Sequence, residues 1–213
     1  MTDDSPLLQE IAQYYHERLR IYGPTPSGVD WNSVESQEVR FQQLARAWND
    51  DPEPFSVLDY GCGYGALAHW LSAGSRPFRY VGYDIVGDMI KEANDASPGA
   101  HCTFTTRREQ LAKADYVVAS GIFNVRLAAA PDAWDALMQE TVSWITAHAT
   151  RAFAFNALST YSDPSKRRGD LHYADPLIWF DRCKGAQTAR VALLHDYPLY
   201  EFTLIGRMNG TAT

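Results

Sequence analysis

Long apolar runs, an excess of basic residues and clustered cysteines are all missing from this sequence of 213 residues. No apolar run approaches the roughly 20 residues that span a bilayer, so we expect no membrane anchor. With 19 basic and 26 acidic residues the formal net charge is −7, which gives no general affinity for nucleic acid. Cys62, Cys102 and Cys183 lie far apart, and this spacing favours a reducing, cytoplasmic compartment and predicts no metal site.

Repeats, low-complexity tracts and a signal-peptide pattern are also missing, and what remains is typical of a globular protein. Apolar residues make up 46% and aromatic residues 13% of the chain, enough to bury a sizeable core. At roughly 150 residues per domain, this length favours one domain. We therefore expect a single domain over residues 1–213, with an N-terminal helical cap at 1–50 and a core at 51–213. The sequence leaves the oligomeric state open.

The spacing of apolar residues changes after Pro54. Before it, apolar residues recur at helical spacing over 7–21 and 33–48. After it, short apolar runs alternate with helical stretches near 66–73, 88–96 and 132–148. The candidate strands are Phe55–Leu58, Tyr80–Tyr83, Cys102–Thr105, Tyr116–Ala119, Ala152–Phe155, Val191–Leu194 and Phe202–Ile205. This alternation predicts an α/β fold, a mostly parallel sheet with helices on both faces.

The last two candidate strands break this alternation. Only residues 195–201 connect them, and such a connection is too short to hold a crossover helix. We therefore expect the final strand to run antiparallel to its neighbours.

Three glycines at alternate positions follow the first candidate strand: Gly61, Gly63 and Gly65. Glycine is needed where the backbone turns sharply and must let a ligand approach closely. A helix begins directly after them, and free N–H groups at a helix start favour a carboxylate or phosphate. Asp84 ends the second candidate strand, where a carboxylate can accept hydrogen bonds from the two hydroxyls of a ribose. The bend and Asp84 together predict a cofactor that contains a nucleoside.

Two classes of cofactor fit these residues. Gly61, Gly63 and Ala66 satisfy the dinucleotide fingerprint G-x-G-x-x-G/A, with Asp84 near the expected spacing. Asp59, two residues before the first glycine, favours a different cofactor, because a carboxylate there repels a pyrophosphate and attracts an ammonium group. The antiparallel final strand is also foreign to the dinucleotide fold. An NAD(P)-dependent oxidoreductase and a non-catalytic nucleoside-binding module both remain as alternatives.

At this point the sequence resembles the class I S-adenosylmethionine-dependent methyltransferases, over roughly residues 35–208. The motifs that carry the resemblance are Val57-Leu58-Asp59-Tyr60-Gly61-Cys62-Gly63-Tyr64-Gly65, Val81-Gly82-Tyr83-Asp84-Ile85 and Ala114-Asp115-Tyr116-Val117-Val118-Ala119-Ser120-Gly121. The resemblance implies a Rossmann-like, seven-stranded sheet of order 3-2-1-4-5-7-6 with the seventh strand reversed. It also implies an enzyme that converts S-adenosylmethionine to S-adenosylhomocysteine.

The resemblance further implies which residues hold the cofactor. Asp59 and the backbone of the glycine bend, Cys62 included, would hold its methionine end, and Asp84 its ribose. Ile85, Arg107 and Ser120 complete the predicted cofactor set. Many members of the family carry an acidic residue just after the third strand to bind adenine, whereas this sequence offers Arg107 and Arg108 there.

The acceptor is predicted to be a small molecule methylated on O, N or C, because no basic extension or macromolecule-binding motif is present. His195 is the first candidate for a general base, and His172 the second. Glu201 could orient an imidazole or pair with a cationic amine. The connection that holds His195 and Glu201 is equally well explained as a polar turn. Arg40 could meet the cofactor carboxylate or lie in solvent.

Two further segments have two interpretations each. The stretch Leu158–Pro176 is predicted as a long polar loop; its run Lys166-Arg167-Arg168 is either a solvated face or a clamp for an acidic substrate. Near the N-terminus, the side chains that either line a substrate pocket or pack in the core are Tyr14, Tyr15, His16, Tyr22 and Trp31.

Overall fold

A computed structural model describes residues 5–49, 53–186 and 190–208. Over these residues the helices are α1 (Pro6–Tyr22), α2 (Val34–Ala45), α3 (Ala66–Ser72), α4 (Gly87–Asp95), α5 (Pro131–His148) and α6 (Pro176–Ala186). The strands are β1 (Phe55–Tyr60), β2 (Phe78–Tyr83), β3 (Cys102–Thr105), β4 (Ala114–Ala119), β5 (Ala149–Leu158), β6 (Arg190–Leu194) and β7 (Glu201–Arg207). All seven predicted strands are present, most of them longer than predicted.

The strands form one sheet in the order β3-β2-β1-β4-β5-β7-β6. β1 pairs in parallel with β2 and β4, whereas β7 runs antiparallel to both β5 and β6. The predicted Rossmann-like sheet with a reversed seventh strand is therefore confirmed. The strand order reverses at β1: β2 and β3 lie on one side of it, and β4 and the later strands lie on the other. Ligands of open α/β sheets bind at such a switch point.

Two apolar layers cover the sheet. On one face, Leu58 and Val117 of the strands pack with Met138 of α5 and Trp179 of α6. On the other face, Val57 and Val118 belong to a cluster that includes residues of α2 and α3. Strands buried on both faces explain why β1 and β4 appear as short continuous apolar runs in the sequence.

The N-terminal helices do not act together as a cap. Phe41 and Leu44 of α2 are buried in the core cluster beside β1, so α2 belongs to a helical layer of the core. α1 contacts α4 and α5 through Leu19 and Ile11 and contributes to the cavity at the carboxyl ends of the strands. The predicted cap thus reduces to α1 and the short 3-10 turn Pro26–Val29. The predicted domain boundary at 50/51 lies outside the described residues.

The segment after β5 is more structured than predicted. β5 extends to Leu158, a 3-10 turn spans Pro164–Lys166, and α6 begins at Pro176. Backbone hydrogen bonds tie the segment together: Ala174 N–H donates to Leu158 O over 2.8 Å, and Thr160 N–H donates to Ala174 O over 3.0 Å. In the part of the chain described, no helix has the length and apolar character to cross a bilayer.

Candidate functional site

The glycine bend follows β1, and its backbone conformation favours glycine. Gly61, Gly63 and Gly65 have φ angles of 85°, 54° and 84°, in the left-handed region that side chains disfavour. The N–H groups of Gly61 and Cys62 both donate to the carbonyl of Tyr83, over 2.7 and 2.9 Å. A Cβ on Gly61 would lie 2.2 Å from Cγ2 of Ile122. The bend is therefore locked between the ends of β2 and β4.

Asp84, after β2, faces this bend. Its Oδ2 accepts a hydrogen bond from Gly63 N–H over 2.8 Å, and its Oδ1 accepts one from Val86 N–H over 2.9 Å. Burial raises the pKa of Asp84, and these two N–H groups oppose the rise. A carboxylate has about four acceptor positions, so each oxygen keeps capacity for one further donor.

Asp59 lies at the end of β1 and is 2% exposed. The hydroxyl of Tyr80 donates to Oδ2 over 2.6 Å, whereas Oδ1 is buried and has no hydrogen-bond partner among the described residues. Burial raises the pKa of Asp59 to about 7, against the lowering effect of the Tyr80 hydroxyl. A buried acceptor without a donor is costly, so this oxygen is suited to a donor supplied by a ligand.

A first cavity opens in front of both carboxylates. It holds about 1210 Å³ of empty space, counting the part open to solvent. Helix α1, the glycine bend, the ends of β2 and β4, and α5 surround it. Its charged lining residues are Asp59, Asp84, Arg108 and Glu140. Three acidic groups against one basic group favour a ligand with positive charge.

The segment after β4 forms another wall of this cavity. Ser120 lines it with a buried hydroxyl that has no hydrogen-bond partner in the described chain. Gly121 N–H donates to Oδ1 of the buried Asn156 over 2.7 Å. A Cβ on Gly121 would lie 2.1 Å from Cζ2 of Trp31, so only glycine allows the indole to approach this closely.

A second cavity of about 890 Å³, again counting the part open to solvent, adjoins the first. Four residues line both: Tyr15, Val29, Trp31 and Gly121. The ring of Trp31 therefore forms part of the partition between them. The sequence had left open whether Tyr15 and Trp31 line a pocket, and the structure places both at these cavities.

Arg40 and Glu201 form a buried ion pair beside the second cavity, at 6% and 1% exposure. Arg40 Nε lies 2.9 Å from Glu201 Oε2, and Nη2 lies 2.5 Å from Oε1. The guanidinium also stacks on Trp31, 3.7 Å from the ring centroid. Arg40 therefore neither lies in solvent nor is free for a cofactor carboxylate, and Glu201 is not free to act as a base or to bind a cationic amine.

The two predicted histidines lie outside the residues that line the two cavities. His195 Nε2 lies 2.9 Å from the hydroxyl of Ser159, and its ring packs edge-on to Tyr161. His172 has a buried Nε2 without a hydrogen-bond partner in the described residues, and burial lowers its pKa. The structure thus does not bring either imidazole to the cavities, and their role as bases stays a prediction.

Most of the predicted cofactor residues do come together. The residues of that set that line the first cavity are Asp59, Gly61, Cys62, Gly63, Asp84, Ile85 and Ser120. Gly65 instead precedes the first residue of α3. Arg107 is exposed, whereas its neighbour Arg108 lines the cavity and lies over Trp144 at 5.1 Å. The side chain after β3 that reaches the cavity is therefore Arg108.

Sequence reasoning also missed Glu140 and Thr141, which α5 contributes to the first cavity. No motif marks them, because they belong to a regular amphipathic helix. Within the described ranges, no cluster of three or more His, Cys, Asp or Glu side chains is arranged to hold a metal ion.

Comparison with known proteins agrees with this geometry. Residues 35–152 match the family profile described as "Methyltransferase domain", which covers more than half of the chain. The chain belongs to this methyltransferase family. It is also 46% identical, over 156 residues, to Rv1506c of Mycobacterium tuberculosis, a protein provisionally named a methyltransferase. That match covers 73% of this chain and 94% of the relative.

Solved structures of methyltransferases share the fold. The magnesium protoporphyrin IX methyltransferase of Synechocystis, with bound S-adenosylhomocysteine, superposes with a TM-score of 0.67 at 20% identity, covering 94% of this chain and 99% of that one. Human N-acetylserotonin methyltransferase, in complex with S-adenosylmethionine, gives a TM-score of 0.65 at 14% identity, covering 99% of this chain and 61% of that one. At these identities the likeness concerns the fold.

Proposed function

We propose that this methyltransferase uses S-adenosylmethionine to methylate an O, N or C nucleophile of a small-molecule acceptor. One observation carries the proposal: the buried Asp59 lines the first cavity beside the triple-glycine bend, and one of its carboxylate oxygens has no hydrogen-bond partner among the described residues. An ammonium group of the methionine end would supply the missing donor.

The residues present fit the rest of this cofactor. The carboxylate of Asp84 keeps an acceptor position on each oxygen for the two ribose hydroxyls. The N–H groups of Gly61, Cys62 and Gly63 are hydrogen-bonded within the protein, so the bend offers its shape rather than these donors. The acidic excess of the cavity suits a ligand that carries both an ammonium and a sulfonium. Ser120 offers a hydroxyl without a partner in the described residues. Ile85 adds an apolar side chain to the cavity wall.

The bound cofactor supplies an activated methyl group on a positively charged sulfur. The chain then has to hold the acceptor in line with that methyl group and exclude water. Trp31 and Gly121 are suited to this positioning, since they line both cavities. A general base is needed only where the acceptor must lose a proton early. If His195 or His172 acted as one, replacing it by alanine would change the pH–rate profile.

A small acceptor is supported by the second cavity, which adjoins the first. The names of the two structural neighbours also denote enzymes that act on a porphyrin and on N-acetylserotonin. The cytoplasmic location remains a prediction.

Two alternatives make different predictions for binding. An NAD(P)-dependent oxidoreductase would place a pyrophosphate near Asp59, where the carboxylate would repel it. A non-catalytic nucleoside-binding module would need no acceptor pocket, yet a second cavity adjoins the first.

Isothermal titration calorimetry tests the proposal. We expect S-adenosylmethionine and S-adenosylhomocysteine to bind to one site and NAD not to bind. Tight NAD binding, or no binding of either sulfur compound, would overturn it. Formation of S-adenosylhomocysteine with a panel of amines, phenols and carboxylates then separates an enzyme from a binding module.

A further inference from the structure

The second cavity shares four lining residues with the first and adjoins it. Trp31 and Gly121 line both cavities, and the indole lies against the glycine because no Cβ intervenes. An acceptor in the second cavity would reach a cofactor in the first where the two cavities meet, beside Trp31 and Gly121 and not through the indole ring. The chemistry of the second cavity therefore bears on what the acceptor is.

The basic run after β5 contributes to this cavity through two of its three residues, Lys166 and Arg168. Arg167 is held elsewhere, since its guanidinium donates to the carbonyls of Ser162 and Thr160. Arg168 pairs with Asp170 over 2.5 Å and lies 3.5 Å from Asp30. Lys166 differs from both arginines: it is exposed at the rim of the cavity, and no described carboxylate lies within ion-pairing distance of its ammonium group.

The other charges of the cavity compensate one another. Arg40 is paired with Glu201, and Asp30 lies between Arg18, at 3.2 Å, and Arg168. Among the charged residues that line the cavity, three are basic and two are acidic: Arg40, Lys166, Arg168, Asp30 and Glu201. The single uncompensated charge is thus that of Lys166.

The residues that line the second cavity with Lys166 suit a ligand that carries a flat or apolar organic group. Aromatic rings of Tyr15, Trp31, Tyr173 and Tyr200 line the cavity. Aromatic side chains provide large contact areas at low cost in conformational entropy. An anion without a flat or apolar group would make no contact with these rings.

We propose that the second cavity binds the methyl acceptor and that Lys166 selects an acceptor with an oxyanion, a carboxylate or a phosphate, on an aromatic or apolar body. The inference rests on the proposed function for the position of the methyl donor. Lys166 is here a specificity-determining residue, and Trp31 is the wall that the acceptor contacts.

Binding of paired probes to the full chain, saturated with S-adenosylhomocysteine, tests this. The probe pairs are benzoate with benzamide and phenyl phosphate with phenol. Binding is followed by the NMR signal of the Trp31 indole N–H, which is assigned by its loss in Trp31→Phe. We expect both anions to shift this signal and to bind more tightly than their neutral partners. Benzoate against phenyl phosphate then distinguishes a carboxylate from a phosphate acceptor.

Lys166→Gln should weaken binding of the preferred anion about fivefold, the effect of one partly exposed ion pair, and leave its neutral partner unchanged. Lys113→Gln is the matched control. Lys113 is exposed and lies just before the first residue of β4. It is therefore at the amino ends of the parallel strands, whereas the first cavity lies at their carboxyl ends. This variant should bind both anions as the unaltered chain does.

The outcomes separate the inference from the proposed function. If S-adenosylhomocysteine does not bind in calorimetry, the proposed function fails. If it binds but the anions leave the Trp31 signal unmoved, or bind equally to Lys166→Gln and the unaltered chain, the acceptor assignment is wrong while the proposed function stands.

Discussion

The two cavities meet at Trp31 and Gly121 but are built in different ways. About half of the residues that line the first cavity come from short segments at the ends of three neighbouring strands, residues 59–64, 66–67, 83–85 and 120–123. The second gathers charged side chains that are far apart in the sequence, such as Arg40 and Glu201. The first has an excess of acidic groups and the second an excess of one basic group.

Each cavity also contains one deeply buried carboxylate, and the contrast between Asp59 and Glu201 is instructive. Glu201 is neutralised by Arg40 through both carboxylate oxygens. Asp59 receives one hydroxyl hydrogen bond, and its other oxygen has no partner in the described residues. Both carboxylates are buried, so burial does not distinguish Asp59 from Glu201. The feature that indicates a ligand site is the Asp59 oxygen without a hydrogen-bond partner in the described residues. The predictions below test this difference.

The largest expected effect is a loss of stability when the carboxylate of Glu201 loses its partner Arg40. Arg40→Met leaves Glu201 buried without a countercharge, and we expect the free energy of unfolding to fall by about 3–5 kcal/mol in urea denaturation. Arg46→Met is the control, because the Arg46 side chain forms exposed contacts, with Asp196 at 3.5 Å and with Gln43 Oε1 at 3.2 Å; it should cost less than about 1 kcal/mol.

A double variant sharpens this result. Arg40→Met combined with Glu201→Leu removes both charges and should recover most of the loss. If the double variant is as unstable as the single one, packing rather than an unpaired charge explains the loss.

The second prediction concerns ligand binding at the unsatisfied carboxylate. Asp59→Asn removes the charge that would hold an ammonium group, so affinity for S-adenosylhomocysteine should fall about 10- to 100-fold in calorimetry. Asp88→Asn alters an exposed carboxylate whose partner is His16 at 2.8 Å and should leave the affinity unchanged. Equal affinities of the two variants would contradict the assigned role of Asp59.

The third prediction is a pH dependence. Because the pKa of Asp59 is raised to about 7, the native state holds a proton between about pH 4 and 7 that the unfolded state has released. The contribution of Asp59 to the free energy of unfolding therefore falls as the pH rises through this window.

Ligand binding has the opposite pH dependence, since an ammonium group favours the ionised carboxylate. Affinity for S-adenosylhomocysteine should rise by up to about tenfold per pH unit below pH 7 and level off above it. Asp59→Asn should reduce this slope in calorimetry at several pH values. An unchanged slope would assign the titration to another group, such as Asp84, whose pKa burial also raises.

The smallest expected effect comes from Tyr80, the hydroxyl partner of Asp59. Tyr80→Phe removes a hydrogen bond that favours the ionised form, so the carboxylate should titrate at higher pH and bind an ammonium less well at pH 7. We expect a loss of affinity for S-adenosylhomocysteine of about fivefold. Tyr197→Phe removes a buried hydroxyl that pairs with Thr203 over 3.0 Å; this control should retain full affinity.

The local sequence was sufficient to predict the strands and the part of the first cavity that lies at their carboxyl ends. The seven candidate strands could be read because parallel strands buried on both faces give continuous apolar runs. Glycines at positive φ leave a direct mark, since few other residues adopt that conformation. Asp59 and Asp84 could be predicted as site residues because they lie at the ends of two candidate strands, next to this glycine motif and after it in the chain.

Helix α6 was not predicted, and its sequence shows why. Leu177 and Ile178 are exposed while Trp179 and Cys183 are buried, so the apolar residues do not form one regular stripe. The N-terminal region shows the converse, because two similar helical patterns lie in different layers, α1 beside the cavity and α2 on the sheet. Arg107 was assigned where Arg108 lines the cavity, because adjacent side chains after a strand point in different directions.

By itself the sequence determined the order of the strands, the helices other than α6 and the glycine bend, because these depend on apolar spacing or dihedral angles within a few residues. It also indicated Asp59 and Asp84 by their positions at the ends of two strands. The tertiary structure alone decided that Arg40 meets Glu201, that Trp31 divides two cavities and that Lys166 is left uncompensated. These are pairings between side chains up to 161 residues apart, and such pairings depend on how the layers pack, which leaves no periodic pattern in the chain.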